Sequence, residues 1–163
     1  SYFKSNKIMK KILFTSIIIG GIFASCGKKT VPSATSTGSL SGKVDGTEWS
    51  ASLAVQGTLS SGMLTFSGSD ANAQQMNITL MNYTGVGEYP LGGNVTGTNQ
   101  NSGRWTAGLQ SNQTYVTNVG LGDGKCIVTK DNNNQAEGTF YFTAKNTDGK
   151  EVIISEGKFN VKY

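Results

Sequence analysis

The chain has 163 residues, with 14 basic and 10 acidic side chains and no histidine. Without histidine, it cannot use a histidine-dependent catalytic triad, a histidine general base or a histidine metal ligand. Four of the basic residues precede Cys26, so the ten basic residues that follow are balanced by the ten acidic ones. The absence of net side-chain charge after Cys26 argues against a nucleic-acid-binding surface.

The first element is an apolar segment with the pattern of a secretory signal. Lys10 and Lys11 give it a positive start, and an uncharged run rich in Ile, Leu and Phe follows over 12–25. That run is shorter than the roughly 20 residues of a transmembrane helix, so we predict a signal peptide. Residues 1–8 precede Met9 and are interpreted as an upstream extension.

The signal ends in Phe23-Ala24-Ser25-Cys26, which resembles the lipobox of bacterial lipoproteins, although Leu is commoner than Phe at its first position. The resemblance implies that Cys26 is the lipid attachment site and becomes an acylated N-terminus. Two or three acyl chains anchor a protein stably in a bilayer. Because Gly27 stands where Asp would indicate inner-membrane retention, and no acidic cluster follows, we expect an outer-membrane location facing the periplasm.

After Cys26 the sequence changes to small polar residues with one proline, which is typical of a flexible linker. We therefore predict three parts. They are an upstream extension and signal peptide at 1–25, the lipidated cysteine and linker at 26–38, and one all-β domain at 39–163.

The predicted domain consists of short segments in which apolar and polar residues alternate, separated by clusters of Gly, Asn, Asp and Ser. No segment has a sustained helical period, so we predict antiparallel β-structure throughout. The pattern fits a single antiparallel β-sandwich or a small β-barrel of about 8–10 strands, and it leaves both open. The predicted strands are 39–44, 48–56, 63–68, 75–81, 104–110, 114–119, 125–130, 138–144, 151–155 and 158–163.

The alternation also predicts the core, because every second residue of a strand points to the same face. Asp45-Gly46 and Asp148-Gly149 predict tight hairpins, since glycine accepts a positive φ. Cys126 lies in an apolar run and is expected to be a buried apolar residue without a disulfide partner. The residues expected to share core faces are Leu64 and Phe66; Met76, Ile78 and Leu80; Trp105, Ala107 and Leu109; Phe140, Phe142 and Ala144; and Phe159, Val161 and Tyr163.

Five short motifs, which combine turn residues with aromatic or apolar residues, are distributed along the domain. They are the strand 124–129, Gly-Thr-Phe-Tyr-Phe at 138–142, Gly-Lys-Phe at 157–159, Val-Asp-Gly at 44–46 with Trp-Ser-Ala at 49–51, and Gly-Glu-Tyr-Pro-Leu at 87–91. In these motifs the chain resembles a Bacteroidota family of small lipoproteins of unknown function, with Cys126 where the family favours Val. The resemblance implies an all-β fold and a lipoprotein setting, and it supplies no reaction.

Two loops contain residue types that bind ions. Gly120 to Gly124 is rich in glycine, but a phosphate loop needs a helix behind it and here a strand is predicted, so we interpret it as a hairpin turn. The segment from Asp131 to Glu137 carries oxygen ligands at alternate positions, as a calcium loop does. Ala136 stands where an EF-hand requires glycine, and a solvated turn is the preferred interpretation over a weak calcium site.

The long segment 84–103 contains the candidate binding site. Tyr89 and Leu91 are expected to anchor its first half in the fold. Its second half brings the amides of Asn99 and Asn101 close in sequence to Trp105, and amides beside an aromatic face suit a neutral glycan. The alternative is that Trp105 is a core residue, as its alternation with Ala107 and Leu109 indicates.

The sequence therefore predicts a non-catalytic binding or scaffolding module of the cell envelope, without a cofactor or a metal. Its expected partners are the bilayer, through acylated Cys26, and a neutral glycan or an envelope protein, with no nucleic acid. The alternative is a periplasmic hydrolase with paired carboxylates, as in glycoside hydrolases. Its candidates lie in turn-like stretches and are Asp70, Glu88, Asp123 and Glu137.

Overall fold

The computed structural model describes residues 38–93, 101–118 and 120–163. The described residues form eleven strands and one 3-10 turn, Ser111–Gln113. None of them forms a helix long and apolar enough to cross a membrane. The strands are β1 Gly38–Val44, β2 Thr47–Ser50, β3 Ala54–Ser60, β4 Met63–Ser69, β5 Gln75–Leu80, β6 Gly87–Gly92, β7 Ser102–Thr106, β8 Thr114–Val116, β9 Asp123–Asp131, β10 Gln135–Lys145 and β11 Glu151–Lys162.

The predictions for the N-terminal region, namely the upstream extension, the signal peptide, Cys26 and most of the linker, lie outside the described residues. The all-β prediction for the domain is confirmed. The strand count exceeds the predicted range mainly because β6 lies in the segment 84–103 that was expected to be a loop.

All eleven strands belong to one antiparallel sheet. Its main path runs β2-β1-β11-β10-β8-β7-β5-β4-β3, and β9 and β6 branch from β10. The branch arises because β10 is long, with its first part pairing with β9 and Lys145 pairing with Val116 of β8. The path ends at β2 and β3, which do not pair with each other, so the sheet is open and the β-sandwich is the better description of the two predicted folds.

The sheet folds over so that opposite parts of its path face each other across the core. Phe66 of β4 stacks on Phe159 of β11 with ring centroids 4.5 Å apart, and Phe159 also contacts Phe140. Burying a side chain of this size contributes about 1.5–3 kcal/mol. The predicted core faces are confirmed for Leu64 and Phe66, for Met76, Ile78 and Leu80, for Phe140, Phe142 and Ala144, and for Phe159 and Val161.

Two glycines in the aromatic motifs make this packing possible. A Cβ on Gly138 would lie 2.0 Å from the Ile127 carbonyl oxygen, and a Cβ on Gly157 would lie 2.5 Å from the Phe140 ring. Both strands therefore approach their neighbours more closely than any side chain would permit. The Gly-Thr-Phe and Gly-x-Phe patterns thus have a packing explanation.

The hairpin predictions are confirmed, with differences in detail. Asp45 and Gly46 both have positive φ, 48° and 82°, which is the geometry of a two-residue turn between β1 and β2. Asp148 and Gly149 lie in a longer loop between β10 and β11, which the Asn146 side chain holds by accepting hydrogen bonds from the amides of residues 148 and 150.

Three predicted strand boundaries are wrong. The strand predicted at 104–110 ends at Thr106, and Leu109 lies in a loop with 92% of its surface exposed, so it does not share the core face of Trp105. The strand predicted at 48–56 is divided between β2 and β3 by residues 51–53. Conversely, the two strands predicted at 151–155 and 158–163 form one strand, β11, which continues through Glu156 at φ 51°.

Candidate functional site

The structure places the three predicted ligand-binding residues in different settings. Asn99 lies outside the described residues. Asn101 precedes β7, and its side-chain oxygen accepts a hydrogen bond from the Met81 amide at 2.7 Å while its nitrogen donates to the Pro90 carbonyl at 2.9 Å. Both ends of this amide are therefore used to hold β6 against the end of β5.

Trp105 lies in β7 and is 3% exposed. Its ring meets the ring of Trp49 from β2 edge to face, with centroids 5.3 Å apart. Trp49 is 7% exposed, and its Nε1–H donates to the carboxylate of Asp70 at 3.1 Å. The core interpretation of Trp105 is confirmed, and the fold pairs it with an indole more than 50 positions earlier in the chain.

The two indoles also form the floor of an open cleft of about 340 Å³, which we call the tryptophan cleft. Tyr115 of β8, which pairs directly with Trp105, forms part of its wall. Pockets of a few hundred cubic ångströms that combine apolar walls with a few polar groups are typical ligand sites. The other residues lining the tryptophan cleft are Val44, Asp45, Thr47, Glu48, Gln74, Ala107 and Val152.

The rim of the tryptophan cleft carries four polar side chains. Asp45 accepts a hydrogen bond from the Ile153 amide at 2.8 Å, and Glu48 lies 3.8 Å from the ammonium of Lys43. The side-chain amide of Gln74 forms no hydrogen bond within the described part of the chain, since only its backbone groups bond to Asp70. A free amide, a hydroxyl and carboxylate oxygens above aromatic rings can bind a ligand that offers hydroxyl groups and a C–H face.

Asp70 positions Gln74 and Trp49 together. It is 8% exposed, and besides the Trp49 indole it accepts hydrogen bonds from the amides of Asn72 and Gln74 at 2.8 and 3.0 Å. The sequence predicted a solvated turn carboxylate, and that is wrong for this residue. Its burial is tolerated because three donors replace water.

The other candidate hydrolase carboxylates have separate partners. Glu88 pairs with Lys125 at 2.7 Å, Asp123 accepts from the Thr143 hydroxyl at 3.1 Å, and Glu137 pairs with Lys130 at 3.1 Å. Glycoside hydrolysis needs two carboxyl groups that flank one bond. The fold instead assigns each of these carboxylates to its own neighbour.

A second pocket, of about 380 Å³, contains a carboxylate held by two tyrosines. Tyr83 and Tyr163 donate their hydroxyls to the two oxygens of Asp131, at 2.5 and 2.7 Å, and the Asn133 amide donates at 2.7 Å. We call this group the tyrosine–aspartate pocket. Partial burial opposes ionisation of Asp131, but the three hydrogen bonds outweigh it and hold its pKa below the ordinary value.

The same contacts raise the pKa of both tyrosines. Partial burial and the hydrogen bond to the negative carboxylate of Asp131 raise the pKa of Tyr163 to about 12, and they raise that of Tyr83 further. Both hydroxyls therefore remain protonated donors at neutral pH.

The remaining candidate motifs have structural roles. Gly120 and Gly122 have positive φ in a turn that leads into β9. An isolated bridge joins Asn118 to Leu121, but among the described strands β8 and β9 do not pair with each other, so this is a turn and not the predicted hairpin between strands. The Asp131–Glu137 segment is the β9–β10 hairpin, and no group of three or more metal-ligating side chains occurs within the described ranges. Cys126 is fully buried, which confirms its predicted apolar role, and burial raises the pKa of its thiol to about 12.

Sequence reasoning missed the residues that join Trp105 in the tryptophan cleft. Trp49 carried a signal, because it belongs to one of the family motifs. Gln74 and Tyr115 carried none, since their proximity depends on the pairing of β5 and β8 with β7.

Comparison with known proteins finds a matching family model. The model of a domain of unknown function, DUF6252, matches residues 36–161. No curated protein and no solved structure gives a significant match.

Proposed function

The chain belongs to the DUF6252 family, a domain of unknown function, and we propose that it is a lipid-anchored envelope protein that binds neutral glycans in the tryptophan cleft. The anchor is the acylated Cys26 that the lipobox-like sequence predicts. It holds the protein at the outer membrane, facing the periplasm. The observation that carries the binding role is the placement of both tryptophans of the chain on the floor of one open cleft.

The chemistry of the tryptophan cleft favours a neutral sugar over other ligands. The half-buried Tyr115 ring offers aromatic surface for the C–H face of a sugar ring beside the nearly buried indoles, and the free amide of Gln74 can both donate to and accept from its hydroxyls. The lining contains the carboxylates of Asp45 and Glu48 and no lysine or arginine, and Lys43 contacts Glu48 from outside it, so the lining offers no cation to pair with an anionic ligand.

The position of the tryptophan cleft suits a membrane-anchored receptor. A tether from Cys26 joins the domain at Gly38, the first residue of β1, whereas Val44 at the other end of that strand lines the cleft. Seven residues of strand span about 20 Å. The opening therefore lies at the end of β1 that is remote from the tether.

A binding role is favoured over hydrolysis because the carboxylates at the cleft already have partners. Asp45 accepts from the backbone of β11 and Glu48 lies beside Lys43, so each carboxylate is engaged by its own neighbour and the two do not act as a pair. The chain also has no histidine to replace them.

The proposal is tested by titrating the full chain in a maltoside-free detergent with soluble cello-, malto-, manno- and xylo-oligosaccharides while tryptophan emission is recorded. Because both tryptophans line the cleft, any glycan that enters it should change the emission. The Gln74→Ala variant should weaken binding about tenfold, which corresponds to the loss of one or two hydrogen bonds to the sugar.

The matched control is Gln56→Ala, which removes the same side chain from the exposed face of β3 and should leave the titration unchanged. An absence of any emission change with every sugar, or equal effects of the two variants, would contradict glycan binding at this cleft. Release of shortened sugars during the titration would instead support the hydrolase.

A further inference from the structure

The tyrosine–aspartate pocket lies away from the tryptophan cleft and has a different chemistry. Its floor is the Asp131 carboxylate at the end of β9, held by Tyr83 from the loop after β5 and by Tyr163 after β11. Three segments that are far apart in the sequence therefore meet at one negative charge. Leu59 and Val86, both exposed, stand at its edge.

The charge of Asp131 is held in place but is not neutralised. The tyrosine hydroxyls and the Asn133 amide stabilise the ionised form, yet all three donors are uncharged. Within the described ranges Asp131 forms no ion pair, and Lys130, its neighbour in sequence, pairs with Glu137. A carboxylate has about four acceptor positions, so one remains on the oxygen that only Tyr83 contacts.

The surroundings of this charge combine aromatic rings and two apolar side chains with the polar residues Thr84 and Asn133. The Tyr83 ring stacks on Tyr89 with centroids 5.6 Å apart and meets the Tyr163 ring edge to face at 6.2 Å. The negative faces of tyrosine rings attract organic cations, and the exposed Leu59 and Val86 side chains offer contacts for alkyl groups. A hard metal ion fits poorly, since it needs several charged or carbonyl oxygens and the pocket supplies one carboxylate.

From this combination we propose that the tyrosine–aspartate pocket binds an organic ammonium group, such as an alkylated amine. The cation pairs with Asp131, its substituents contact the tyrosine rings, and its apolar part lies against Leu59 and Val86. The pocket volume of about 380 Å³ accommodates a small amine.

The sheet register places this pocket at the end where the tether joins. Asp131 is paired with Ala136, Ala136 with Val161, and Val161 with Gly38. These four residues form one row across neighbouring strands, each about 5 Å from the next. The ammonium can therefore come from a free amine or from a lipid headgroup of the membrane to which the proposed anchor attaches.

The test is calorimetry of the full chain with choline and with 3,3-dimethylbutan-1-ol, which has the same shape but no charge. Choline should bind saturably and the alcohol should not. Asp131→Asn keeps an acceptor oxygen for the tyrosines but removes the charge, and it should weaken choline binding about tenfold or more. Asp148→Asn, which makes the same change in the β10–β11 loop, should leave it unchanged.

A second variant tests the site without altering the tyrosine–aspartate hydrogen bonds. Val86→Lys places an ammonium at the exposed edge of the pocket and should abolish choline binding by occupying the site. Equal binding of choline and the alcohol, or undiminished binding to both Asp131→Asn and Val86→Lys, would overturn the proposal. A complete absence of choline binding to the unmodified chain would also overturn it.

Two further measurements separate this site from the tryptophan cleft and identify the source of the amine. Choline should leave tryptophan emission unchanged, since no tryptophan lines this pocket. In flotation with the Cys26→Ala chain, Val86→Lys should reduce binding to phosphatidylcholine or phosphatidylethanolamine vesicles, but not to phosphatidylglycerol vesicles, if the source is a lipid. No vesicle binding alongside choline binding identifies a free amine.

Discussion

Asp131 and its tyrosines make a stability contribution that depends on pH. The Tyr163 hydroxyl donates to this carboxylate from a partly exposed position, so Tyr163→Phe should lower the free energy of unfolding at neutral pH by about 1 kcal/mol. Tyr141→Phe is the control, because that residue is 51% exposed on the outer face of β10 and should change nothing measurable.

The sign of the pH dependence follows from the two pKa shifts. The folded pKa of Asp131 is below 3.8, so its contribution is present above that pH and is lost as pH falls through the folded value. The pKa of Tyr163 is raised from 10.0 to about 12, so its contribution is present below pH 10 and is lost as pH rises toward 12. In chemical denaturation, the difference between Tyr163→Phe and the unmodified chain should therefore be largest between these limits. A difference that stays constant outside them would contradict the assignment.

Individual side-chain partners are the part of the structure that the sequence does not reveal. Tyr83 and Tyr163 lie 48 and 32 positions from Asp131, and no local pattern links them. Asn101 was expected to bind a ligand because amides near an aromatic residue are typical of glycan sites. Its neighbours in the fold, Met81 and Pro90, use that amide instead, and only the placement of β6 beside the ends of β5 and β7 could have shown it.

At the scale of single strands, alternation makes a sharp prediction for two adjacent residues of β10. Phe140 points into the core, whereas Tyr141 points outward. Phe140→Ala should lower the free energy of unfolding by about 3–5 kcal/mol, because it removes a ring that packs against Phe142 and Phe159. Tyr141→Ala should cost less than about 1 kcal/mol, as exposed substitutions do. Equal losses in urea denaturation would mean that the two faces of β10 are assigned wrongly.

Strands were predictable where alternation is long and turns carry glycine, and less so elsewhere. β4, β5 and β10 alternate without interruption, and their core faces agree with the structure. β7 ends at Thr106, before residue 110 where the alternation predicts its end, because the chain turns there. The Ala107 amide donates a hydrogen bond to the Gln113 carbonyl across a 3-10 turn. β6 was missed because Pro90 interrupts it. Proline is compatible with this strand because, among the described strands, β6 pairs only with β9 and so has one free edge.

The fold class of the described residues and the family that residues 36–161 match are established, whereas the location of the protein in the cell is a proposal that can be tested directly. Cys26→Ala should abolish the incorporation of labelled palmitate into the chain, since it removes the only proposed acylation site. Cys126→Ala is the matched control, because that cysteine is buried in β9 and should not affect the labelling. If the unmodified chain incorporates no palmitate, or the Cys26→Ala chain incorporates as much, the lipoprotein proposal is wrong.

A sandwich and a barrel can be distinguished only from the complete sheet, because the distinction depends on whether the two strands at the ends of the sheet pair with each other. Each strand looks the same locally in either fold. In the structure the path ends at β2 and β3 on opposite sides of the sheet, although they follow each other in the chain. This arrangement brings Trp49 of β2 over Trp105 of β7 and so creates the tryptophan cleft.

The central claim is that this cleft receives a neutral glycan, and the two indole N–H signals in a ¹H–¹⁵N spectrum of the full chain test it most directly. With the sugar that gives the strongest change in tryptophan emission, both indole signals should shift along one saturable curve, while the Asn133 amide in the tyrosine–aspartate pocket should stay in place. Indole signals that do not move at saturating sugar, or that move only together with Asn133, would contradict the account.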